Sequence, residues 1–178
     1  MKVSAVVVTY NRRALLEKTL DGLESQERPV DHIVIIDNAS TDDTAEYLAQ
    51  RSFSVPHTVE RLGENTGGAG GFAAGIELAY GMNFDAFWVM DDDSVCRPGA
   101  LGPLVRDLED AETRLGYLPS FASSMVVFHD DGTICEMNVP EPTWDWTRPL
   151  ALGADYTLAK AASFVSCLVT REGVHAVG

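Results

Sequence analysis

The run Val3-Ser4-Ala5-Val6-Val7-Val8-Thr9 constrains the fold most: it is seven residues long, rich in β-branched side chains and apolar on both faces. It is short for a helix, and a strand with two apolar faces must be covered on both, as in a parallel sheet layered between helices. His32-Ile33-Val34-Ile35-Ile36 and Ala86-Phe87-Trp88-Val89-Met90 repeat the pattern, and a weaker strand lies near His57 to Arg61. Between these runs the periodicity turns helical. Leu15, Leu16, Leu20 and Leu23 mark a helix through about residue 26, closed by Pro29; Thr41 to Arg51, about Gly70 to Tyr80, and Pro98 to Arg114 mark three more. Ser40 with Asp43 resembles a capping box for the second helix. Alternation of this kind predicts an α/β fold, a doubly wound and mostly parallel sheet with helices on both faces.

The texture changes after residue 120. Ala122 to Phe128 and Thr133 to Met137 flank Asp131-Gly132, a hairpin turn signal that predicts a β-hairpin in the C-terminal part. Pro140, Pro142, Trp144, Trp146 and Pro149 mark a long irregular loop, and Ser163 to Val169 reads as one more strand. The two tryptophans are expected to anchor that loop to the core in preference to forming a sugar-stacking platform.

Composition narrows the partners. The 178 residues carry 13 Lys+Arg against 27 Asp+Glu, a formal net charge of −14. That balance excludes a basic nucleic-acid footprint and a broad electrostatic membrane contact. An anionic ligand would need a metal ion or backbone donors to offset the long-range repulsion. With 46% hydrophobic residues the chain can build one sizeable core, so residues 1–178 are expected to form a single domain. Cys96, Cys135 and Cys167 lack metal-site spacing and read as buried reduced thiols. Met1-Lys2-Val3-Ser4 leads straight into a strand, and no apolar stretch approaches the roughly 18 residues of a membrane span. A cytoplasmic placement is expected.

In an open parallel sheet, ligands bind outside the carboxyl ends of the strands. Polar clusters fall there three times: Thr9-Tyr10-Asn11-Arg12, Asp37-Asn38, and Asp91-Asp92-Asp93. Carboxylate oxygens suit Mg²⁺ or Mn²⁺, held commonly by one or two carboxylates together with substrate phosphates. The competing reading of the third cluster is an acidic turn capping the helix after Pro98. Glu64 to Gly75 places five glycines in twelve residues before a helix, giving close backbone approach and N–H groups for an anion. The stretch lacks the Lys-[Ser/Thr] of a P-loop, and the turn after the first strand carries no glycine fingerprint.

Val6-Val7-Val8-Thr9-Tyr10-Asn11-Arg12, Ile35-Ile36-Asp37-Asn38-Ala39-Ser40-Thr41-Asp42-Asp43-Thr44 and Asp91-x-Asp93 together resemble the inverting nucleotide-sugar glycosyltransferase family 2, over roughly residues 3 to 105. Asn65-x-Gly67-Gly68-x-Gly70-Gly71 paired with Trp88-x-x-Asp91-Asp92-Asp93 is similar to the galactofuranosyl- and rhamnosyltransferase branch, which builds cell-envelope polysaccharide. The resemblance implies a glycosyltransferase A-type, Rossmann-like fold, a nucleoside diphosphate sugar donor carrying uracil or thymine, and Mn²⁺ or Mg²⁺. It puts Thr9, Tyr10, Asn11 and Arg12 at the base and ribose, with Tyr10 stacking on a pyrimidine. Asp37 and Asn38 stand where the family commonly has two acidic residues, and Asn65, Gly67 and Gly68 join the donor site. Asp93 is implied as the direct metal ligand and Asp91 as a contact to ribose or a metal-bound water, while Asp92 contributes to the site or supports the turn.

The implied acceptor is a glycan or lipid-linked molecule, with peripheral association at the inner face of the plasma membrane through it. The family's general base lies in an acidic motif downstream, which this chain does not show by Gly178; Asp155 and Glu172 are the late carboxylates, neither in a matching motif. The acceptor and base region is therefore expected outside this chain. A noncatalytic nucleotide-sugar-binding module and a sugar nucleotidyltransferase are the alternative readings.

Overall fold

The computed structural model describes residues 1–177. In chain order the elements are β1 (Val3–Thr9), α1 (Arg13–Glu24), β2 (His32–Asp37), α2 (Thr44–Gln50), β3 (His57–Arg61), α3 (Gly67–Gly81), β4 (Ala86–Asp91), α4 (Leu101–Leu115), β5 (Phe121–Ser123), β6 (Glu141–Pro142), α5 (Arg148–Ala151), β7 (Ala159–Ala161), β8 (Cys167–Thr170) and α6 (Arg171–Val177). Six strands form one sheet in the order β3-β2-β1-β4-β8-β5. The first four run parallel, while β8 lies antiparallel between β4 and β5.

Burial follows the apolar pattern. Every residue of β1 is buried, and β4 is buried from Ala86 to Met90. Alternate side chains of these strands serve opposite layers: Val7, Ile35 and Trp88 pack with Leu16, Leu20, Leu104 and Leu108 of α1 and α4. Val6, Ile36 and Val89 pack with Phe72 and Ala79 of α3. Helices therefore lie on both faces, as the two-sided apolar strands require.

The third helix differs from expectation in an instructive way. It begins at Gly67, so the glycines are helical residues instead of a loop before the helix. Two of them set how near α3 lies to the sheet: a Cβ on Gly71 would stand 2.5 Å from Val8 Cγ1, and one on Gly75 would stand 2.4 Å from Val6 Cγ1. Gly68 meets nothing within 4 Å. The glycine-rich stretch thus divides into a part that packs and a part that stays open.

Other expectations are corrected in detail. The second helix starts at Thr44, and no capping box forms: its N-cap, Asp43, makes no side-chain capping bond, while Thr44 N–H and Oγ1–H donate to Asp42 Oδ1. Ser40 instead accepts from Asn11 N–H through its hydroxyl, at 3.0 Å. The hairpin around Asp131-Gly132 closes through one isolated bridge, Val127 with Ile134, in place of two full strands. A second small ribbon, β6 with β7, and a helical turn at Arg148–Ala151 occupy the segment expected to be irregular. Trp144 is 94% exposed and Trp146 47%, so neither anchors its loop to the core. All three cysteines are buried and free, and burial pushes the thiols of Cys96 and Cys167 up to about 12. Among the described residues no helix is long and apolar enough to cross a membrane.

The α3 contacts predict opposite outcomes for two substitutions. Gly75→Ala is expected to destabilise the fold by about 1–3 kcal/mol through overpacking against Val6 and Ile36. Gly68→Ala, in open space within the same helix, is expected to be neutral or to stabilise by up to about 1 kcal/mol. Urea denaturation of both variants distinguishes close packing from generic helix propensity.

Candidate functional site

Parallel pairing brings the polar clusters to one edge because the strand ends are flush. Thr9 pairs with Asp37, and Val8 with Asp91. The residues after β1, β2 and β4 therefore converge, as the strand-end argument expects.

Asp92 holds the converging ends together. It is 3% exposed, and its Oδ2 accepts from Thr9 Oγ1–H at 2.7 Å and from Tyr10 N–H at 3.3 Å. Its backbone oxygen accepts from Thr19 Oγ1–H of α1 at 2.8 Å. Thr9 is itself buried, so the Thr9–Asp92 pair is committed to the framework, and Tyr10 is the residue of that turn with an exposed ring.

Asn11 has a left-handed φ of 55°. Its Oδ1 accepts from Thr41 N–H at 2.6 Å and Asp42 N–H at 3.3 Å, clasping the β1 turn to the β2 turn. The φ of 64° at Ala39 lies in that second turn. Non-glycine residues in this region carry backbone strain, which collects at functional loops. Asn38 is buried, and its amide spans to α3: Oδ1 accepts from Thr66 N–H at 2.9 Å, and Nδ2–H donates to the Gly67 carbonyl at 3.0 Å. Asn65 Oδ1 accepts from Gly67 N–H at 2.8 Å, leaving exposed Gly67 and Gly68 at the open start of the helix.

Asp37 has a different character. Its side chain is 1% exposed; Oδ1 accepts from Ser40 N–H at 2.8 Å, while Oδ2 has no hydrogen-bond partner among the described residues. The nearest cation is Arg61, whose Nε lies 3.6 Å from that oxygen and whose Nη2–H donates to the Ser40 carbonyl at 2.7 Å. A buried acceptor with an open valence stands ready for an N–H donor, since leaving it unmade costs about 1–3 kcal/mol. Arg61 was not among the residues singled out from the sequence. It ends β3 on the same edge, so the strand-end rule applied to that weaker strand would have found it.

The aspartate cluster is electrostatically tense. Burial, and then the charges of Asp93 and Asp92, hold the Asp91 carboxyl above the ordinary aspartate range. Burial also pushes the Asp92 carboxyl up, although the bonds from Thr9 and Tyr10 and the Arg12 charge pull against it. Arg12 Nη1 lies 3.0 Å from Asp93 Oδ2 and 3.5 Å from Asp92 Oδ1. No three metal-ligating side chains converge among the described residues. Mg²⁺ and Mn²⁺ need only one or two carboxylates when a diphosphate brings further oxygens, and repulsion among these carboxylates is what a divalent cation relieves. The half-buried Asp91 and the exposed Asp93 fit such a cation.

Two late carboxylates lie elsewhere. Glu172 follows β8, whose end pairs with the start of β4, at the sheet edge opposite the cluster, and His175 sits on the same exposed terminal helix. Asp155 is largely exposed, 4.0 Å from Arg106.

Comparison with known proteins bears on the family and the fold. Residues 4–145 match the family model described as Glycosyl transferase family 2. The chain is 42% identical over 91 residues to galactofuranosyltransferase GlfT1 of Mycolicibacterium smegmatis, covering 51% of this chain and 30% of that protein. It is 33% identical over 108 residues to abequosyltransferase RfbV of Salmonella typhimurium, covering 58% and 32%. These curated relatives are thus matched over about a third of their own length. Among solved structures it is similar to S. aureus TarS in complex with UDP-GlcNAc, with a TM-score of 0.62 and 20% identity over 75% of this chain and 37% of that one. It is also similar to a Pyrobaculum calidifontis mannosyltransferase in complex with GDP-Man and Mn²⁺, with a TM-score of 0.58 and 25% identity over 73% and 36%. The α/β architecture is that of these glycosyltransferases.

The raised Asp91 carboxyl gives a signed pH prediction. A carboxyl whose folded pKa is raised favours folding in its protonated form, below the ordinary aspartate value, and that contribution is lost as pH rises through the folded value. Asp91→Asn is therefore expected to raise Tm at neutral pH in the ligand-free protein. The advantage should shrink toward the ordinary carboxylate range. Thermal denaturation with a chelator present, at neutral and acidic pH, checks both the sign and the trend.

Proposed function

This chain belongs to glycosyl transferase family 2, and from that membership we propose that it binds a nucleoside diphosphate sugar with Mn²⁺ or Mg²⁺ and serves inverting transfer of the sugar to a cell-envelope glycan or lipid-linked acceptor. The observation that carries the proposal is the convergence of Asp37, Asp91 and Asp93 at one sheet edge, with Asp37 Oδ2 buried, without a hydrogen bond among the described residues and faced by Arg61 Nε at 3.6 Å.

In this reading Asp37 Oδ2 accepts the ring N–H of uracil or thymine once Arg61 swings aside, and Tyr10 stacks on the base. Asn11 and Asn38 shape the pocket by clasping its loops, and the open start of α3 at Asn65, Gly67 and Gly68 admits the sugar diphosphate. Asp93 and Asp91 hold the cation, and Asp92 holds the turn that presents them. Bound there, a divalent cation supplies neutralisation of the charge that develops on the departing nucleoside diphosphate. The acceptor hydroxyl attacks the sugar carbon opposite the leaving group and gives its proton to a carboxylate base. We assign that base and the acceptor region to sequence outside this donor-binding domain, consistent with curated relatives that extend well beyond the matched stretch. Association with the inner face of the plasma membrane then follows from the acceptor.

Calorimetric titration of UDP, dTDP and GDP, with and without Mn²⁺, tests the donor site. Cation-dependent binding of a pyrimidine diphosphate is expected, weakened at least about tenfold in Asp93→Ala and in Asp37→Asn, the loss of one charge-assisted contact. Binding by none of the three nucleotides in the presence of Mn²⁺ overturns the proposal. Tight binding with no transfer, even in a longer chain that includes the downstream region, favours a noncatalytic binding module.

A further inference from the structure

Arg12 stands where the cation is expected. Its Nη1 lies 3.0 Å from Asp93 Oδ2, the carboxylate assigned above to direct coordination, and 3.5 Å from Asp92 Oδ1. Both Arg12 and Asp93 are about half exposed, so this ion pair is weak and readily exchanged. Asp92, by contrast, is buried and takes its bonds from Thr9 and Tyr10 on Oδ2, the oxygen that Arg12 does not face.

Charge balance explains why an arginine sits there. Three consecutive carboxylates at the end of β4 repel one another, and among the described residues Arg12 is the cation that pairs with them. A divalent ion at Asp91 and Asp93 replaces that single positive charge with two. The guanidinium then faces a like charge and is driven off. It is carried by the N-cap residue of α1, and its long side chain is free to swing on that fixed stem. The incoming diphosphate is the nearest anion for it to meet, and a planar guanidinium matches phosphate oxygens bidentately.

We propose that Arg12 is an exchangeable stand-in for the metal: it holds Asp93 when no cation is bound, competes with the free cation, and transfers to the diphosphate when cation and nucleotide arrive together. This rests on the donor-site reading above and moves Arg12 from the base and ribose, where the family resemblance puts it, to the phosphate end. The consequence is coupling. Free Mn²⁺ binds weakly because it must displace Arg12, and the nucleotide removes that penalty by giving the guanidinium a new partner. The order of loading then favours a metal–nucleotide complex over metal alone.

The test measures the two ligands separately in Arg12→Ala and Arg12→Gln. Free Mn²⁺, followed by electron paramagnetic resonance without nucleotide, is expected to bind roughly three- to tenfold tighter in both variants, the scale of losing a partly exposed competing ion pair and a neighbouring like charge. UDP, titrated calorimetrically at saturating Mn²⁺, is expected to bind about tenfold weaker in both. Opposite signs are the signature. A residue that merely supports the loop would weaken both, and a base or ribose contact would weaken UDP while leaving free Mn²⁺ unchanged; either result overturns the inference, as does absence of measurable free Mn²⁺ binding in the variants. Asp93→Ala separates this from the donor-site assignment. If Mn²⁺ affinity survives in Asp93→Ala, the metal assignment fails; if it is lost there while Arg12→Ala leaves it unchanged, the exchange alone fails.

Discussion

A carboxylate removed from water must be answered by donors, and the site edge depends on how Asp92 is answered. Its side chain gathers Thr9 Oγ1–H and Tyr10 N–H from β1, and its backbone oxygen takes Thr19 Oγ1–H from α1. These bonds tie the end of β4 to the end of β1 and to the helix that follows β1. Burial of an unanswered charge would be prohibitive, so the network is kept complete or lost together. Because Asp92 is fixed inward, Asp91 and Asp93 on either side are presented at the edge.

That arrangement also bears on how an acidic protein can hold the anionic donor proposed for it. The chain as a whole repels phosphates, yet the repulsion is local and can be cancelled locally. Exposed Gly67 and Gly68 open the helix start, and the guanidiniums of Arg12 and Arg61 stand beside the two carboxylate positions. Net charge governs approach from a distance; the few groups at the sheet edge govern what stays.

Legibility in the sequence tracked the range of the physical cause. β1, β2 and β4 were readable because two-sided burial is written residue by residue in Val, Ile and Phe, and the clusters at their ends followed from parallel topology. Which role each polar residue takes was less visible. Thr9 and Asn38 look like ligand contacts in a string of letters, yet their hydrogen bonds run inward, to Asp92 and to the start of α3. The glycines read as a stretch for close backbone approach and anion-facing N–H groups, but Gly71 and Gly75 are required by Val8 and Val6, a contact between elements far apart in sequence. Ser40 and Asp43 had capping-box spacing, and the competing bonds to Asn11 and Asp42 took their place. The last third was least legible. β8 inserts antiparallel between β4 and β5, a non-local pairing that no local pattern encodes, and Trp144 with Trp146 defied the expectation that large aromatics seek the core.

The side-chain amide of Asn38 accepts from the N–H of Thr66 and donates to the carbonyl of Gly67, so the strand that carries Asp37 and the helix that opens at Gly67 are one mechanical piece. An aspartate at this position, as is common in the family, would lose the donor to Gly67 and set a negative charge against that carbonyl. In this chain, then, Asn38 is committed to holding α3 against the sheet. Tyr10 and Arg61, by contrast, are exposed on the same edge and can vary without unfastening α3 from the sheet.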